Sequence, residues 1–124
     1  MPGGVSGDTH LLNTVTLTWT KILVEGPKLW GHSLSPISPC RLLLVGGDPS
    51  AYGVDISNKV WILDTSASTW EEEEPIPAGF GDGFKYHQAV VTRTDKGALV
   101  ICLGGYTDKG YKNHPKSMLF FDFE

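Results

Sequence analysis

Short hydrophobic runs, separated by glycine, proline and small polar residues, recur along the whole chain. Each run is about four to six residues long, which is the length of a β-strand rather than of a helix. Three of them are residues 41–45 (RLLLV), 60–64 (VWILD) and 98–103 (ALVICL). The pattern therefore predicts an all-β protein, and no run approaches the ~20 apolar residues that a membrane-spanning helix requires.

The hydrophobic runs belong to an internal repeat. Residues 12–19 (LNTVTLTW) align with residues 63–70 (LDTSASTW), with four identities and a spacing of 51 residues. A histidine, a pair of glycines and an aspartate recur in the same order with spacings of 55 to 58 residues. The positions that mark the repeat are Trp19, His32, Gly46, Gly47, Asp64, Trp70, His87, Gly104, Gly105 and Asp122.

The repeating unit contains four predicted strands, here labelled a to d in chain order. Residues 31–74 form one complete unit, and residues 86–124 form a second unit that lacks strand d. Residues 12–24 supply strand d of a preceding unit, so residues 12–124 form one repeat region after a flexible N-terminus, residues 1–11. The predicted order of strands is d, then abcd, then abc, in four-stranded antiparallel sheets.

The residues that mark the repeat have structural interpretations. The glycine pairs close the b strands, and we interpret them as sites where the chain bends so close to another backbone that a Cβ has no room. Trp19 and Trp70 offer large apolar surfaces that can pack between neighbouring sheets. His32 and His87 recur at one position of the unit, which favours a hydrogen bond specific to the repeat over a metal site.

The period of about 50 residues, with Gly-Gly after strand b and tryptophan in strand d, resembles the kelch repeat. In the complete unit, the matching positions are Gly31, His32, Gly46, Gly47, residues 58–60 (NKV), Asp64, Thr69 and Trp70. The resemblance implies a β-propeller, in which four-stranded blades surround a channel with strand a innermost.

The resemblance covers about two blades, and two blades do not close a ring. The chain is therefore expected to be a fragment of a longer propeller or to assemble head to tail. In the second case each d strand would complete the abc blade of a neighbour, and roughly three copies would make a six-bladed ring.

Composition limits the possible partners. The 124 residues include 10 Lys and Arg against 14 Asp and Glu, which gives a net charge of −4. An acidic chain lacks the basic face that nucleic-acid binding requires, and no membrane segment is expected. The first residues lack the cationic start and apolar stretch of a secretory signal, so an intracellular protein, cytoplasmic or nuclear, is expected.

Residues with catalytic or cofactor-binding potential are not arranged for chemistry. Cys102 lies inside an apolar run, and Cys40 lies in a Ser/Pro loop with no histidine neighbour that would act as a base. Residues 79–83 (GFGDG) lack the spacing of a phosphate-binding loop, and no Gly-x-Ser-x-Gly elbow is present. We therefore expect no catalytic residue, no metal and no cofactor. The alternative is a fragment or subunit of an enzyme that carries a kelch propeller as an appended or catalytic domain.

Binding is expected on the loops, which rigid strands present to solvent. In the predicted order of strands, the b–c and d–a loops emerge on one face and carry the aromatic and charged residues typical of protein-recognition surfaces. The candidates for protein binding are Tyr52, Asp55, Phe80, Phe84, Lys85, Tyr106, Tyr111 and Lys112. Residues 71–74 (EEEE) are interpreted as a solvated strand edge or as a docking site for a basic partner. The sequence thus favours a kelch-type scaffold or adaptor that binds other proteins and has no catalytic activity.

Overall fold

The computed structural model describes residues 5–50, 56–75, 86–95, 97–103, 105 and 119–123, the last segment by its backbone. The strands are β1 (Thr9–Asn13), β2 (Thr18–Ile22), β3 (Ser33–Ser38), β4 (Arg41–Val45), β5 (Val60–Asp64), β6 (Thr69–Glu73), β7 (Gln88–Thr94), β8 (Gly97–Leu103) and β9 (Leu119–Phe123). The all-β class predicted from the sequence is confirmed. Among the described residues there is no helix that could cross a membrane.

The strands form three antiparallel sheets that follow one another along the chain. Sheet 1 is the hairpin β1–β2, sheet 2 has the order β3-β4-β5-β6, and sheet 3 has the order β7-β8-β9. Strand β4 is central in sheet 2, and its last three side chains are all buried. Burial on both faces explains why this strand has a continuous apolar sequence rather than an alternating one.

Sheet 1 differs from the prediction. Strand β2 lies within the residues expected to supply a lone strand d, but it pairs along its whole length with β1, which begins inside the segment expected to be flexible. The order of strands is therefore cd, abcd, abc. Three of the five side chains of β1 are exposed, and its sequence (THLLN) has no strand-like apolar run. Strand β1 is therefore held in place by its pairing with β2 and not by burial of its side chains.

The repeat detected in the sequence is present in the structure as two hairpins with the same register. Trp19 lies opposite Leu12 in sheet 1, and Trp70 lies opposite Leu63 in sheet 2. Each tryptophan is therefore on the same face of its sheet as the leucine across from it. The two hairpins are structural equivalents, separated by the 51 residues of the sequence repeat.

Both hairpins also use the same turn. Asn13 Oδ1 accepts hydrogen bonds from the backbone N–H groups two and three residues further on, at 2.9 and 3.1 Å. Asp64 Oδ1 accepts the equivalent pair at 2.9 and 3.0 Å. Leu17 and Ser68 then take positive φ angles of 58° and 56°. Asn and Asp are interchangeable here because each supplies one acceptor oxygen at the same position.

The main core lies between sheets 2 and 3. Its buried side chains are Ile37, Leu43, Val45, Val60, Ile62, Val100 and Cys102, with Ala89 and Val91 packed against them. Each fully buried aliphatic side chain contributes roughly 1.5–3 kcal/mol. Cys102 belongs to this cluster as a small apolar residue, and burial raises the pKa of its thiol to about 11.

Polar contacts hold the first strands of sheets 2 and 3 side by side. Ser33 Oγ and His87 Nε2 are hydrogen-bonded at 2.8 Å. Ser35 Oγ donates to the Ala89 carbonyl at 2.9 Å, and the Arg93 guanidinium donates to a carbonyl of β3. These bonds hold strands β3 and β7 next to each other.

The opposite face of sheet 2 packs toward sheet 1. Leu44 and Leu63 are buried on this face, and Trp70 contacts Gly26 in the segment after β2. A Cβ on Gly26 would lie 2.7 Å from the Trp70 indole, so a larger residue would displace the ring. Trp70 thus packs against the segment that joins sheets 1 and 2.

Trp19 has the equivalent position in sheet 1 but a different environment. Its side chain is 67% exposed. The two hairpins face the same way, so each tryptophan points toward the preceding sheet. Among the described residues no sheet precedes sheet 1, which explains why Trp19 is exposed while Trp70 is packed.

Candidate functional site

Two loops meet at one end of sheets 1 and 2. The first joins β2 to β3 (residues 23–32), and the second joins β4 to β5, of which residues 46–50 and 56–59 are described. They are the d–a and b–c loops of the repeat, and they emerge on the same face. An antiparallel bridge joins them through hydrogen bonds of 2.8 and 3.2 Å between the backbones of Trp30 and Asp48. The two loops therefore form one framework.

The glycine pair after β4 makes this framework possible. Gly46 and Gly47 have φ angles of 71° and 98°, which residues with a Cβ rarely adopt. A Cβ on Gly47 would also lie 2.9 Å from the Cβ of His32. The chain bends here against the other loop. In sheet 3, Gly105 has a positive φ of 77°, whereas Gly104 is outside the described residues.

Trp30 and Asp48 anchor the framework from within. The Trp30 indole N–H donates to the Ser50 carbonyl at 2.7 Å, and its ring meets that of Tyr86 edge-on with centroids 5.3 Å apart. Asp48 is fully buried, and its carboxylate accepts the Ser50 backbone N–H at 2.7 Å. The Tyr86 N–H donates to the Gly31 carbonyl at 2.7 Å, which ties the chain before β7 to the same framework.

A cavity of about 450 Å³ lies beside this framework. Its lining residues come from both loops and from β5, and they are Pro27, Lys28, Leu29, Pro49, Ile56, Ser57, Asn58, Lys59 and Trp61. The prolines, the aliphatic side chains and the Trp61 ring make the lining mostly apolar. A cavity of this size is large enough for a small molecule or for a few side chains of a peptide.

Two ammonium groups add charge to the cavity lining. Lys28 Nζ lies 3.2 Å from the carboxylate of Glu25, and Lys59 Nζ lies 3.6 Å from that of Glu72. These side chains are roughly half exposed or more, so each ion pair contributes only ~0–1 kcal/mol. A carboxylate on a ligand could therefore replace either glutamate at little cost. The site combines an apolar lining with two exchangeable cations.

The residues proposed from the sequence for protein binding lie outside the described residues: Tyr52, Asp55, Phe80, Phe84, Lys85, Tyr106, Tyr111 and Lys112. The first two belong to the b–c loop that contributes to the cavity. The residues predicted from the d–a loops all belong to the later loop. The earlier d–a loop supplies Pro27 and Lys28 to the cavity and was not predicted to bind. Their position could have indicated this role, because they lie just before Gly31 and His32, where the repeat begins.

The recurring histidines are not part of this cavity. His87 is 3% exposed, and burial lowers its pKa to about 4, with the neighbouring charge of His32 adding to the shift. His87 is therefore neutral at pH 7 and contributes its bond to Ser33. Within the described part of the chain, no three His, Cys, Asp or Glu side chains are placed to hold a metal ion.

Two further sequence features, Asp122 and the glutamate run, lie in strands of the structure. Asp122 lies in β9 opposite Leu99. Residues 71–73 lie in β6, the edge strand of sheet 2, and two of these three glutamates are exposed. This location agrees with a charged, solvated edge that discourages pairing with another chain.

No family model matches the chain, and no curated protein matches its sequence. Its fold, in contrast, is similar to solved structures. One of them is described as "Structure of YjhT", with a TM-score of 0.67 and 15% sequence identity over 93% of this chain. The matched region is 36% of that chain, so the protein spans about a third of the larger structure. At this identity the similarity concerns the fold alone.

Proposed function

We propose that the three sheets are blades of a kelch-like β-propeller, and that the chain is a protein–protein interaction module, a scaffold or adaptor without catalytic activity. Three features support the propeller. The sheets pack face to face in chain order, the first strands of sheets 2 and 3 lie side by side, and the same hairpin recurs in sheets 1 and 2. Loops that emerge from one end of such blades form a continuous binding face.

The observation that carries the binding proposal is the cavity between the d–a and b–c loops. The Trp30–Asp48 bridge and the bend at Gly46 and Gly47 join the described parts of the two loops that line it. A preformed apolar cavity loses little conformational entropy when it binds a ligand. Prolines in its lining add to this rigidity, since their φ angles are already restricted.

The chemistry of the cavity favours an acidic peptide segment as the ligand. An apolar side chain of the peptide would pack against Trp61, which is the largest side chain in the lining. Carboxylates on either side of it would pair with Lys28 and Lys59. Tyr52, Asp55 and the later loop residues named from the sequence stay candidates for further contacts with the partner.

The test is selection from a displayed library of random peptides on the immobilised chain. We expect enrichment of peptides in which an aromatic or aliphatic residue is flanked by Asp or Glu. Trp61→Ala removes the apolar contact, and the double change of Lys28→Glu with Lys59→Glu reverses the charge. Each variant is expected to bind the selected peptides with at least tenfold lower affinity in a direct titration.

Lys21→Glu is the matched control, because Lys21 is also exposed and ion-paired, to Asp8 at 3.4 Å, but lies in β2 away from the cavity. It is expected to leave peptide affinity unchanged. Selected peptides that bind the Trp61→Ala variant as tightly as the wild type would place the binding site elsewhere. Failure to select any peptide would refute the proposed function.

Both cysteines are unpaired, and Cys40 is exposed. Exposed free thiols persist in reducing compartments, where disulfides are rare. We accordingly propose that the module works in the cytoplasm or the nucleus.

A further inference from the structure

Consecutive sheets of this molecule always meet through the same two faces. Sheet 2 turns one face toward sheet 3, and we call this its forward face. It turns the other toward sheet 1, and we call this its backward face. The forward face carries Leu43, Val45 and Ile62, and the backward face carries Leu63 and Trp70. Because the hairpins repeat, each sheet has both faces in the same orientation.

The forward face of sheet 3 is uncovered. Val90 and Leu103 on this face are 58% and 55% exposed. Their equivalents in sheet 2, Ser35 and Val45, are 8% and 0% exposed because sheet 3 covers them. Ile101, which is partly buried, lies directly opposite Val90 in the register of β7 and β8, so it joins the two exposed side chains in one apolar patch.

The backward face of sheet 1 is uncovered as well. Leu12 and Trp19 face each other across the hairpin and are 41% and 67% exposed. Leu63, the equivalent of Leu12 in sheet 2, is 1% exposed, and Trp70 across from it contacts Gly26 in the segment after β2. Sheets 1 and 3 therefore expose, within the described residues, the two complementary halves of the contact between neighbouring sheets.

We propose that these two faces bind each other between two copies of the chain, so that the backward face of sheet 1 in one copy packs on the forward face of sheet 3 in another. The contact is head to tail, and it uses different patches on the two partners. Two copies joined at both ends would contain about six sheets, within the roughly four to eight of a closed propeller. The proposal is independent of the peptide site on the loop face.

Stacking of faces agrees with the structure better than exchange of an edge strand. In sheet 2, β6 pairs with β5 through its inner edge. In sheet 1 the same edge of β2 is already occupied by β1. For β2 to complete the sheet of a neighbour, the β1–β2 hairpin would have to open, whereas stacking leaves all strand pairs intact.

The experiment is sedimentation velocity on the full chain and on two variants, each altered at one face. Trp19→Glu introduces a charge on the backward face, and Val90→Glu introduces one on the forward face. We expect the wild type to form dimers, and each variant alone to be monomeric at the same concentration. An equimolar mixture of the two variants should recover dimers, because each still has the face that the other lacks.

The matched control uses an exposed hydrophobic residue outside the strands of both faces. Val15 in the first turn is 90% exposed, and Val15→Glu should assemble as the wild type does. Circular dichroism with thermal unfolding shows whether each variant is folded. If Val90→Glu does not fold, Leu103→Glu replaces it on the same face.

Three results would overturn the proposal. A wild-type chain that stays monomeric at ~100 μM binds itself too weakly for the contact to matter. Dimers that persist in both single variants would indicate edge pairing instead. Dimers lost only in Trp19→Glu, with no recovery on mixing, would indicate a symmetric contact between two backward faces.

Discussion

At the scale of single residues, His87 shows how one buried group links stability to pH. It lies between sheets 2 and 3, where it is bonded to Ser33 and its pKa is lowered from 6.5 to about 4. The unfolded chain therefore binds a proton at this position over a range in which the folded chain does not. Stability rises with pH across that range.

The first prediction concerns this pH dependence. The contribution of His87 is fully present above pH 6.5 and is lost progressively as pH falls from 6.5 to about 4. A shift of this size corresponds to about 3 kcal/mol. Urea unfolding of wild type and His87→Gln at several pH values measures it. The variant should lack this component of the slope, whereas His10→Gln, at an exposed histidine, should retain it. Equal slopes in wild type and His87→Gln would show that the pKa is not lowered.

Part of the role of His87 could be predicted from the sequence. Recurrence of His32 and His87 at one position of the repeat favoured a hydrogen bond over metal binding, and His87 is hydrogen-bonded to Ser33. The partner could not be predicted, because Ser33 belongs to the preceding sheet and only the packing of two sheets brings it near. His32 has no described sheet with an inner strand before it, so its environment differs from that of His87.

At the scale of secondary structure elements, the two equivalent hairpins depend on their turns. The Asn13 side chain accepts hydrogen bonds from two backbone N–H groups of the turn. Without it, these two groups would lose their acceptor. Asp64 has the same function, and these bonds, with that from the Ser66 hydroxyl at 2.7 Å, hold the pKa of its carboxyl below the usual value. A side-chain oxygen at this position is therefore what both hairpins require.

The second prediction follows from that requirement. Asn13→Ala should destabilise the chain by roughly 0.5–1.5 kcal/mol, since the turn loses its side-chain acceptor. Asn13→Asp should keep most of the stability, because Asp64 already performs the same function in sheet 2. Chemical denaturation measures both. Exchange rates of the β1 and β2 amides would show whether the loss is confined to sheet 1. An alanine variant as stable as the wild type would contradict this explanation of the turn.

Most of the strands could be predicted from sequence because their side chains are buried in a regular pattern. The runs at residues 41–45, 60–64 and 98–103 correspond to β4, β5 and most of β8. Strand β1 could not be predicted in this way, since its pairing with β2 involves backbone groups that are identical in every residue. The aligned segment 12–19 did contain the end of β1, and its match to 63–70 was evidence of a second hairpin.

At the scale of the whole molecule, the packing of each sheet depends on the sheet beside it. Trp70 packs against the segment that joins sheets 1 and 2, and its indole nitrogen is buried with no hydrogen-bond acceptor among the described residues. Its contribution is therefore one of packing. Trp19 occupies the equivalent place in sheet 1 but is 67% exposed, so the two tryptophans can be compared within one chain.

The third prediction uses this comparison. Trp70→Ala should destabilise the isolated chain by about 2–3 kcal/mol, below the roughly 3–5 kcal/mol of a fully buried aromatic residue because Trp70 is partly exposed. Trp19→Ala should change stability by less than ~0.5 kcal/mol in the monomer. Thermal unfolding at low protein concentration measures both. Equal losses in the two variants would mean that the tryptophans do not differ in packing.

The candidate site could be located only coarsely from sequence. The order of strands predicts that b–c and d–a loops share a face, and the cavity lies on that face. Its lining could not be predicted, because it depends on the bridge between Trp30 and Asp48 and on the bend at Gly47. These contacts join positions far apart in the chain, and no local pattern encodes them.

The constant pairing of a forward face with a backward face has a consequence for how such a chain can change in evolution. Insertion or loss of one complete unit leaves every other junction with the same two surfaces. Duplication within the gene could therefore lengthen the stack without any new complementary contact having to arise. Loops at each added unit would then be free to diverge in sequence while the strands beneath them stayed the same.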